Sequence, residues 1–271
     1  VGSEMCIRDS VCTNCGFVIT NPRPINEILG NYYKSDDYIS HSDTNKGIIS
    51  KVYHLVRKYA LYKKERLISN FVSRGTLLDY GCGTGAFASY CNQRGWRVYG
   101  MEPDSEARNA SATRGVDTSK SKEELSPKIN DGSLSAITLW HVLEHITDLK
   151  QTLAFFQEKL SDSGKLFIAV PNHNSYDAQH YREYWAAYDV PRHLYHFDIK
   201  SVSKLLNAHG FLLVDTKPMK FDSFYVSMLS EKYKHGKIKF FSALIVGLVS
   251  NLKAKVPCDY SSVIYIFSKK S

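Results

Sequence analysis

Thr76-Leu77-Leu78-Asp79-Tyr80-Gly81-Cys82-Gly83-Thr84-Gly85-Ala86 decides the fold of this 271-residue chain. An apolar run of strand character ends in a carboxylate. Three glycines follow, and at Ala86 the apolar spacing turns helical. Glycines between a strand and a helix allow a tight turn and let a ligand approach the backbone beside the helix N-terminus. Two cofactor types compete for such a turn. Gly81-Cys82-Gly83-Thr84-Gly85-Ala86 satisfies the dinucleotide fingerprint G-x-G-x-x-G/A, and Glu102, 21 residues beyond Gly81, would hold a ribose in either case. Asp79 separates them. A carboxylate two residues before the first glycine would repel a pyrophosphate, whereas it attracts an ammonium and a sulfonium. The other reading of Asp79, as a cap on the turn that follows, stays open.

Outward from the turn the chain repeats strand, turn and helix. The pattern predicts strands at Thr76–Tyr80, Arg97–Glu102, Gly115–Asp117, Ala136–Trp140, Lys165–Val170, Phe211–Lys217 and Ser262–Phe267. Helices are predicted at Ala86–Arg94, Ser105–Thr113, Leu149–Leu160 (stopped near Gly164) and Ile199–His209. Alternation of this kind implies an α/β domain with a mainly parallel sheet covered on both faces. Residues 71–271 form that domain, interrupted by insertions at 172–198 and 219–261. Residues 25–70 read as a mostly helical cap, and 1–24 as a separate N-terminal segment. The first insertion leaves a strand at its carboxyl end, where ligands of open α/β sheets bind, so both insertions are candidate lids or substrate walls.

Four segments in order resemble the class I S-adenosylmethionine-dependent methyltransferases. They are Leu77 to Gly85, Val98-Tyr99-Gly100-Met101-Glu102, Leu139-Trp140-His141-Val142-Leu143-Glu144-His145, and Ala169-Val170-Pro171-Asn172. The resemblance runs from about Asn21 to Phe211. It implies a Rossmann-like, seven-stranded, mostly parallel sheet with the last strand antiparallel. It also implies that Asp79, Gly81, Cys82, Gly83 and Gly85 hold the methionine end of the cofactor. Glu102 would bind the ribose hydroxyls, a bidentate task suited to a carboxylate, and Trp140 and His141 would lie beside the cofactor. An acidic contact to adenine has no clear match among Glu123, Glu124 and Asp131, and the usual Asp before the fourth strand is Ser135 here.

Methyl transfer is an in-line displacement in which alignment supplies much of the rate. A base is needed when the acceptor must lose a proton. If a helical turn starts at His141, then His141, Glu144 and His145 share one face, with His141 the first candidate for the base. Support of the helix by Glu144 and His145 is the competing reading. The trio is similar to the acidic-plus-His motif of ubiquinone-biosynthesis O-methyltransferases, where a divalent metal can assist, although His141 stands where that branch has Glu. The run Trp185-Ala186-Ala187-Tyr188-Asp189-Val190-Pro191-Arg192-His193-Leu194-Tyr195-His196-Phe197 resembles a W-x-x-x-D-x-P-R-H-x-x-H-F stretch of a bacterial branch of the family. Trp185, Arg192 and His193 are therefore candidate acceptor-binding residues. His193 is an alternative base, and Arg192 suits a phosphate or carboxylate.

Cys12-Thr13-Asn14-Cys15-Gly16 reads as one knuckle of a zinc ribbon, half of a four-ligand site. Related chains can carry a second knuckle before Asn21-Pro22-Arg23-Pro24. Residues 1–10 show no periodicity and read as foreign to the fold. Six cysteines without a disulfide-like pattern point to a reducing cytoplasm. The formal charge is +8, with Lys and Arg spread along the chain, which favours a solvated surface over a nucleic-acid face. The longest apolar stretch, Phe240 to Leu252, is shorter than the about 20 residues a bilayer span requires, and fits a buried or an interfacial helix. The sequence therefore points to methyl transfer from S-adenosylmethionine to a small-molecule acceptor: a sugar, a quinone-like ring or a lipid-linked intermediate. The alternatives are an NAD-dependent oxidoreductase and a zinc-ribbon nucleic-acid binder with a degenerate enzyme domain.

Overall fold

The computed structural model describes residues 8–13, 16–33, 48–254 and 258–270. Its main sheet takes strands β3 (Thr76–Tyr80), β4 (Arg97–Met101), β5 (Asp117–Ser119), β6 (Leu134–Trp140), β7 (Leu160–Pro171), β9 (Phe211–Pro218) and β10 (Ser262–Lys269) in the order β5-β4-β3-β6-β7-β10-β9. Pairing is parallel from β5 through β4 and β3 to β6, and antiparallel toward the far end, where β10 inserts between β7 and β9. Leu77 and Leu78 of β3 and Ile137 and Leu139 of β6 are fully buried, as expected of strands covered on both faces. The seven strands foreseen from alternation are all present. The helix expected over Leu149–Leu160 is present as Leu149–Lys159, while β7 begins at Leu160, ahead of the expected Lys165, and the third strand lies at Asp117–Ser119 where Gly115–Asp117 was expected. Gly164 lies within β7, where a Cβ would meet the Leu134 carbonyl at 2.8 Å.

The helices have legible causes. Asp104 caps Ser105–Thr113 by accepting from the Ala107 N–H, and Asp198 and Ser201 form a reciprocal capping box at the start of Ile199–Ala208. Ile48–Ser69 is a continuous helix, as its spacing predicted. Its Glu65 is buried and accepts hydrogen bonds from Ser69, Arg74 and Trp96.

The described residues group into two compact units. One takes them from Tyr33–Leu139, Lys150–Phe167 and the end of the chain after Ile266; the other from the first 32 residues, Trp140–Leu149 and Ile168–Ile266. The second unit contains a small sheet that the sequence did not announce. β1 (Arg8–Val11) and β2 (Val18–Asn21) form an antiparallel hairpin, and β2 pairs with β8 (Tyr195–His196). The hairpin tip is closed by the Gly16 N–H donating to the Cys12 carbonyl and the Cys12 N–H to Phe17. Cys12 is exposed there, while Cys15, the other half of the expected knuckle, lies outside the described residues, as do residues 1–7.

The insertions, read from sequence only as breaks in the rhythm, are helical. The first holds a short helix, Tyr176–Tyr181, and the second holds Asp222–His235 and Phe240–Lys253. They share a core of Ala178, Tyr181, Trp185, Ala186, Val226 and Val246. Two buried carboxylates hold these helical insertions. Asp177 accepts from Trp185 Nε1 (2.8 Å), Ser250 Oγ (2.6 Å) and Ser261 Oγ (2.7 Å), and Glu231 accepts from Tyr181 Oη (3.1 Å) and Ser242 Oγ (2.5 Å). Trp185 was expected in an acceptor pocket. It is instead 2% exposed and spends its indole N–H on Asp177, so it is a pillar of the insertion core and offers an acceptor no open face. Trp185→Phe keeps most of the ring but removes a donor from a buried carboxylate. We expect a loss of about 1–3 kcal/mol of unfolding free energy in a denaturant titration.

Candidate functional site

β3 carries Asp79 to its carboxyl end, with the side chain 2% exposed. Thr138 of β6 donates to Asp79 Oδ1 at 2.7 Å. Burial pushes the Asp79 carboxyl up to about 6, moderated by the Thr138 hydrogen bond and by Lys64. The turn beyond it is held by other groups: the Gly81 and Cys82 N–H groups donate to the Met101 carbonyl, and the Gly83 N–H donates to Glu102 Oε2 at 2.9 Å. This leaves Asp79 with a sideways hydrogen bond from the neighbouring strand.

Two glycines in the turn are required for different reasons. Gly83 has φ +52 and open space where a Cβ would stand, so a ligand can approach its backbone. Gly85 has φ +73, and a Cβ there would collide with Ser111, whose Oγ lies 2.3 Å from that position. Gly81 also has positive φ. Glu102 ends the segment after β4. Its Oε1 accepts from the Asp104 N–H at 3.0 Å, and burial raises its pKa above the usual carboxylate range. Cys82 is buried, and burial, aided by Asp79, pushes its thiol up to about 12, so it acts as a small apolar neighbour of the turn. Among the acidic residues after β5, Asp131 pairs with Lys159 at 2.5 Å and Glu124 Oε2 accepts from the Lys120 N–H.

The unit containing Trp140–Leu149 holds a second set of groups. Half-buried Trp140 ends β6, and His141 follows with φ +57, a left-handed conformation that costs a non-glycine residue about 1–3 kcal/mol. The Leu143–His145 segment is a single 3₁₀ turn, where sequence spacing had suggested an α-helical turn from His141. The left-handed residue redirects the chain so that His141 still meets Glu144, Nδ1 to Oε1 at 3.5 Å. Its Nε2 lies 3.1 Å from Asp222 Oδ2. Burial pushes the His141 pKa down, but the hydrogen bonds to Asp222 and Glu144 outweigh it and hold the ring at about 9. His141 is therefore an imidazolium at neutral pH, clamped between two carboxylates. Asp222 was not singled out from the sequence; it lies 81 residues away at the start of a helix whose role the pattern does not disclose.

Glu144 is fully buried, with the His141 ring beside its carboxylate. Burial favours its neutral form, yet His141, His193 and His145 together lower its pKa. His145 and His193 face each other edge to face, with centroids 4.6 Å apart. His145 Nδ1 donates to the Arg192 carbonyl at 3.0 Å and His193 Nδ1 to the Ala187 carbonyl at 2.8 Å. A carbonyl only accepts, so each Nδ1 carries a proton. Burial, with His145 nearby, pushes His193 down to about 3 and keeps it neutral. Ligand atoms of Glu144, His145 and His193 all lie within 4.8 Å of one another. A buried carboxylate and two imidazoles anchored through Nδ1 are donors that suit a divalent cation.

The Arg192 guanidinium is paired with Asp189, and its backbone carbonyl orients His145. The Leu194 N–H donates to the Glu144 carbonyl at 2.8 Å, and Thr20 Oγ1 of β2 donates to the His193 carbonyl at 2.7 Å. Thr20, which no motif marks, thus braces this loop. In the same unit a cavity of about 460 Å³ is lined by His173, Gln179, Arg182, Glu183, Tyr188 and Val190. His173 also borders a tighter crevice shared with His193 and His196.

A family model described as a methyltransferase domain matches residues 53–216, more than half of the chain. The ubiquinone biosynthesis O-methyltransferase of Saccharophagus degradans is 32% identical over 110 residues, which is 38% of this chain and 46% of that enzyme. The chain thus matches less than half the length of this curated relative. Among solved structures, geranyl diphosphate C-methyltransferase from Streptomyces coelicolor, in complex with Mg2+, geranyl diphosphate and S-adenosyl-L-homocysteine, matches with TM-score 0.59 at 11% identity, covering 90% of this chain and 97% of that one. The 1,6-didemethyltoxoflavin-N1-methyltransferase of Burkholderia thailandensis, with its substrate and S-adenosylhomocysteine, matches with TM-score 0.54 at 15% identity, covering 97% and 100%. At these identities the structures share the fold.

The His141 clamp gives a pH dependence with a definite sign. The ring titrates at about 9 in the folded chain and near 6.5 unfolded, so its stabilisation is complete below pH 6.5 and is lost as pH rises through 9. In an NMR titration Asp222→Asn should lower the His141 pKa by more than about one unit. An unchanged value would remove Asp222 from the clamp.

Proposed function

This chain belongs to the methyltransferase-domain family and carries a class I, S-adenosylmethionine-dependent methyltransferase domain; from that premise we propose that it transfers the methyl group to a small-molecule acceptor. The observation that carries the cofactor assignment is the buried carboxylate in front of the glycine turn. Asp79, steadied by Thr138, takes the methionine ammonium, and Gly83 lets the cofactor lie against the backbone. Glu102 turns from the Gly83 and Asp104 N–H groups toward the ribose hydroxyls. A pyrophosphate would meet Asp79 as a like charge, which weighs against a dinucleotide.

His145 is the general base in this reading. His141, at about 9, holds its proton at neutral pH, and His193, at about 3, binds one too weakly to drive its removal from an acceptor. The bond from its Nδ1 to the Arg192 carbonyl orients the His145 ring. His141 then fixes and neutralises Glu144, and His193 supports His145. The cavity beside His173 is of small-ligand size, and Gln179, Arg182 and Glu183 suit a hydroxylated acceptor such as a sugar. Quinone-like or lipid-linked acceptors are less well served by that lining.

The Glu144–His145–His193 cluster supports a second reading of the base set. A divalent ion held there would act as a Lewis acid toward an acceptor oxygen. Calorimetric titration with Mn2+ separates the two: binding that disappears in Glu144→Gln supports the metal, and no binding leaves His145 as the base.

The cofactor reading is tested by titration with S-adenosylmethionine. Affinity should fall as pH drops below about 6, where Asp79 takes up a proton. Asp79→Asn should weaken binding by more than about tenfold and abolish that pH dependence, with the fold intact by circular dichroism. Wild-type affinity in the variant, or binding of NAD in place of S-adenosylmethionine, would sink the assignment.

A further inference from the structure

The second insertion is built inside out. Asp222–His235, designated α9, and Phe240–Lys253, designated α10, pack against each other so closely at Gly247 that a Cβ there would meet Phe224 Cδ1 at 2.7 Å and its backbone at 3.1 Å. The buried side of α9 is Ser223, Val226, Ser227, Ser230 and Glu231; that of α10 is Ala243, Val246, Gly247 and Ser250. Small and hydroxylated residues thus face inward, with Ser223 Oγ donating to the Gly247 carbonyl and Asn251 Nδ2 to Ser223 Oγ. The large apolar side chains face outward. Phe241 is 81% exposed, and Ile245, Leu248 and Leu252 are each more than half exposed. Their spacing, i, i+4, i+7 and i+11, puts all four on one stripe of α10, opposite its buried side. Exposed Phe240 and Ile238 continue the surface at the N-terminal end, and Phe221, Tyr225 and Tyr233 are exposed on α9. A contiguous exposed apolar surface of this kind marks a binding face.

Charge identifies the occupant. Between Met219 and Ala254 there are six lysines, at 220, 232, 234, 237, 239 and 253, against two acids. Both acids are engaged inward: Glu231 is 1% exposed, and Asp222 holds His141. Lys234, Lys237 and Lys239 are exposed around the connection where Ile238, Phe240 and Phe241 protrude. Protein interfaces deplete Lys around their aromatic centres. An apolar stripe rimmed by lysines complements an anionic bilayer, whose headgroups attract the cations while the acyl region takes the apolar side chains. No helix among the described residues is long and apolar enough to cross a membrane.

We infer that the α9–α10 hairpin is a membrane-surface anchor, which lays Phe241, Ile245, Leu248 and Leu252 into the interface of an anionic bilayer. The anchor is independent of which acceptor is methylated. It is tested by flotation of the full chain with vesicles of phosphatidylcholine and phosphatidylglycerol, or of phosphatidylcholine alone. Binding should be at least about tenfold stronger on the mixed vesicles and should weaken with salt. Phe241→Ser combined with Ile245→Ser should lose at least about tenfold in binding, and Lys237→Glu combined with Lys239→Glu should remove the preference for anionic lipid. Both variants should keep wild-type affinity for S-adenosylmethionine, so failure of the anchor and failure of the enzymatic reading are told apart. In Phe241→Trp, emission should shift to the blue on mixed vesicles and be quenched by brominated lipid. Absence of flotation, flotation indifferent to Phe241 and Ile245, or a dimer in solution that these substitutions dissolve would overturn the inference; the last outcome would assign the face to a second copy of the chain.

Discussion

A carboxylate held almost without water at the end of a central strand constrains the rest of this molecule. Asp79 is buried by the covered sheet around β3, and a buried carboxylate is tolerated only where a partner compensates its lost hydration. Thr138 supplies one hydrogen bond from the adjacent strand, which requires β6 to lie in register beside β3. The pKa of about 6 shows that this compensation is partial. A cationic ligand would complete it. In the proposed reading the ammonium of the cofactor supplies that charge, and the glycines let it come close to the backbone.

The groups after β6 are arranged by the same economy of charge. Glu144 is buried, and against that burial its pKa is lowered first by the hydrogen bond from His141, a cation locked by Asp222. Here neighbouring rings take the part that water would play. Spread over one carboxylate and three rings, charge can be redistributed without leaving the cluster, which is what proton removal or cation binding requires.

What could be read from the sequence follows how local each feature is. The glycine turn, Asp79 and Glu102 lie within one strand-turn-helix-strand passage, and their meaning depends on spacing along the chain. The Ile199–Ala208 helix is likewise announced by its own capping residues. His141, Glu144, His145 and His193 drew attention through residue type, but whether a histidine is proton-bearing depends on neighbours no motif contains. Asp222 is one such neighbour, 81 residues away. Trp185 misled because aromatic density describes a packed core as well as an acceptor pocket; only the buried Asp177 distinguishes them. Phe240–Leu252 was ambiguous because composition cannot say which side of a helix meets the protein. The lysines of 232–239 looked dispersed along the chain, yet the turn between two helices gathers them.

The small sheet of β1, β2 and β8 also bears on the order in which the molecule is assembled. Thr20 joins His193 across 173 residues of intervening chain, so a strand made early waits for a loop made late. Such long-range closure is entropically expensive and comes late on a folding route. The bracing of the His193 loop is therefore a late event, completed only when the N-terminal hairpin reaches a loop that follows it by most of the chain.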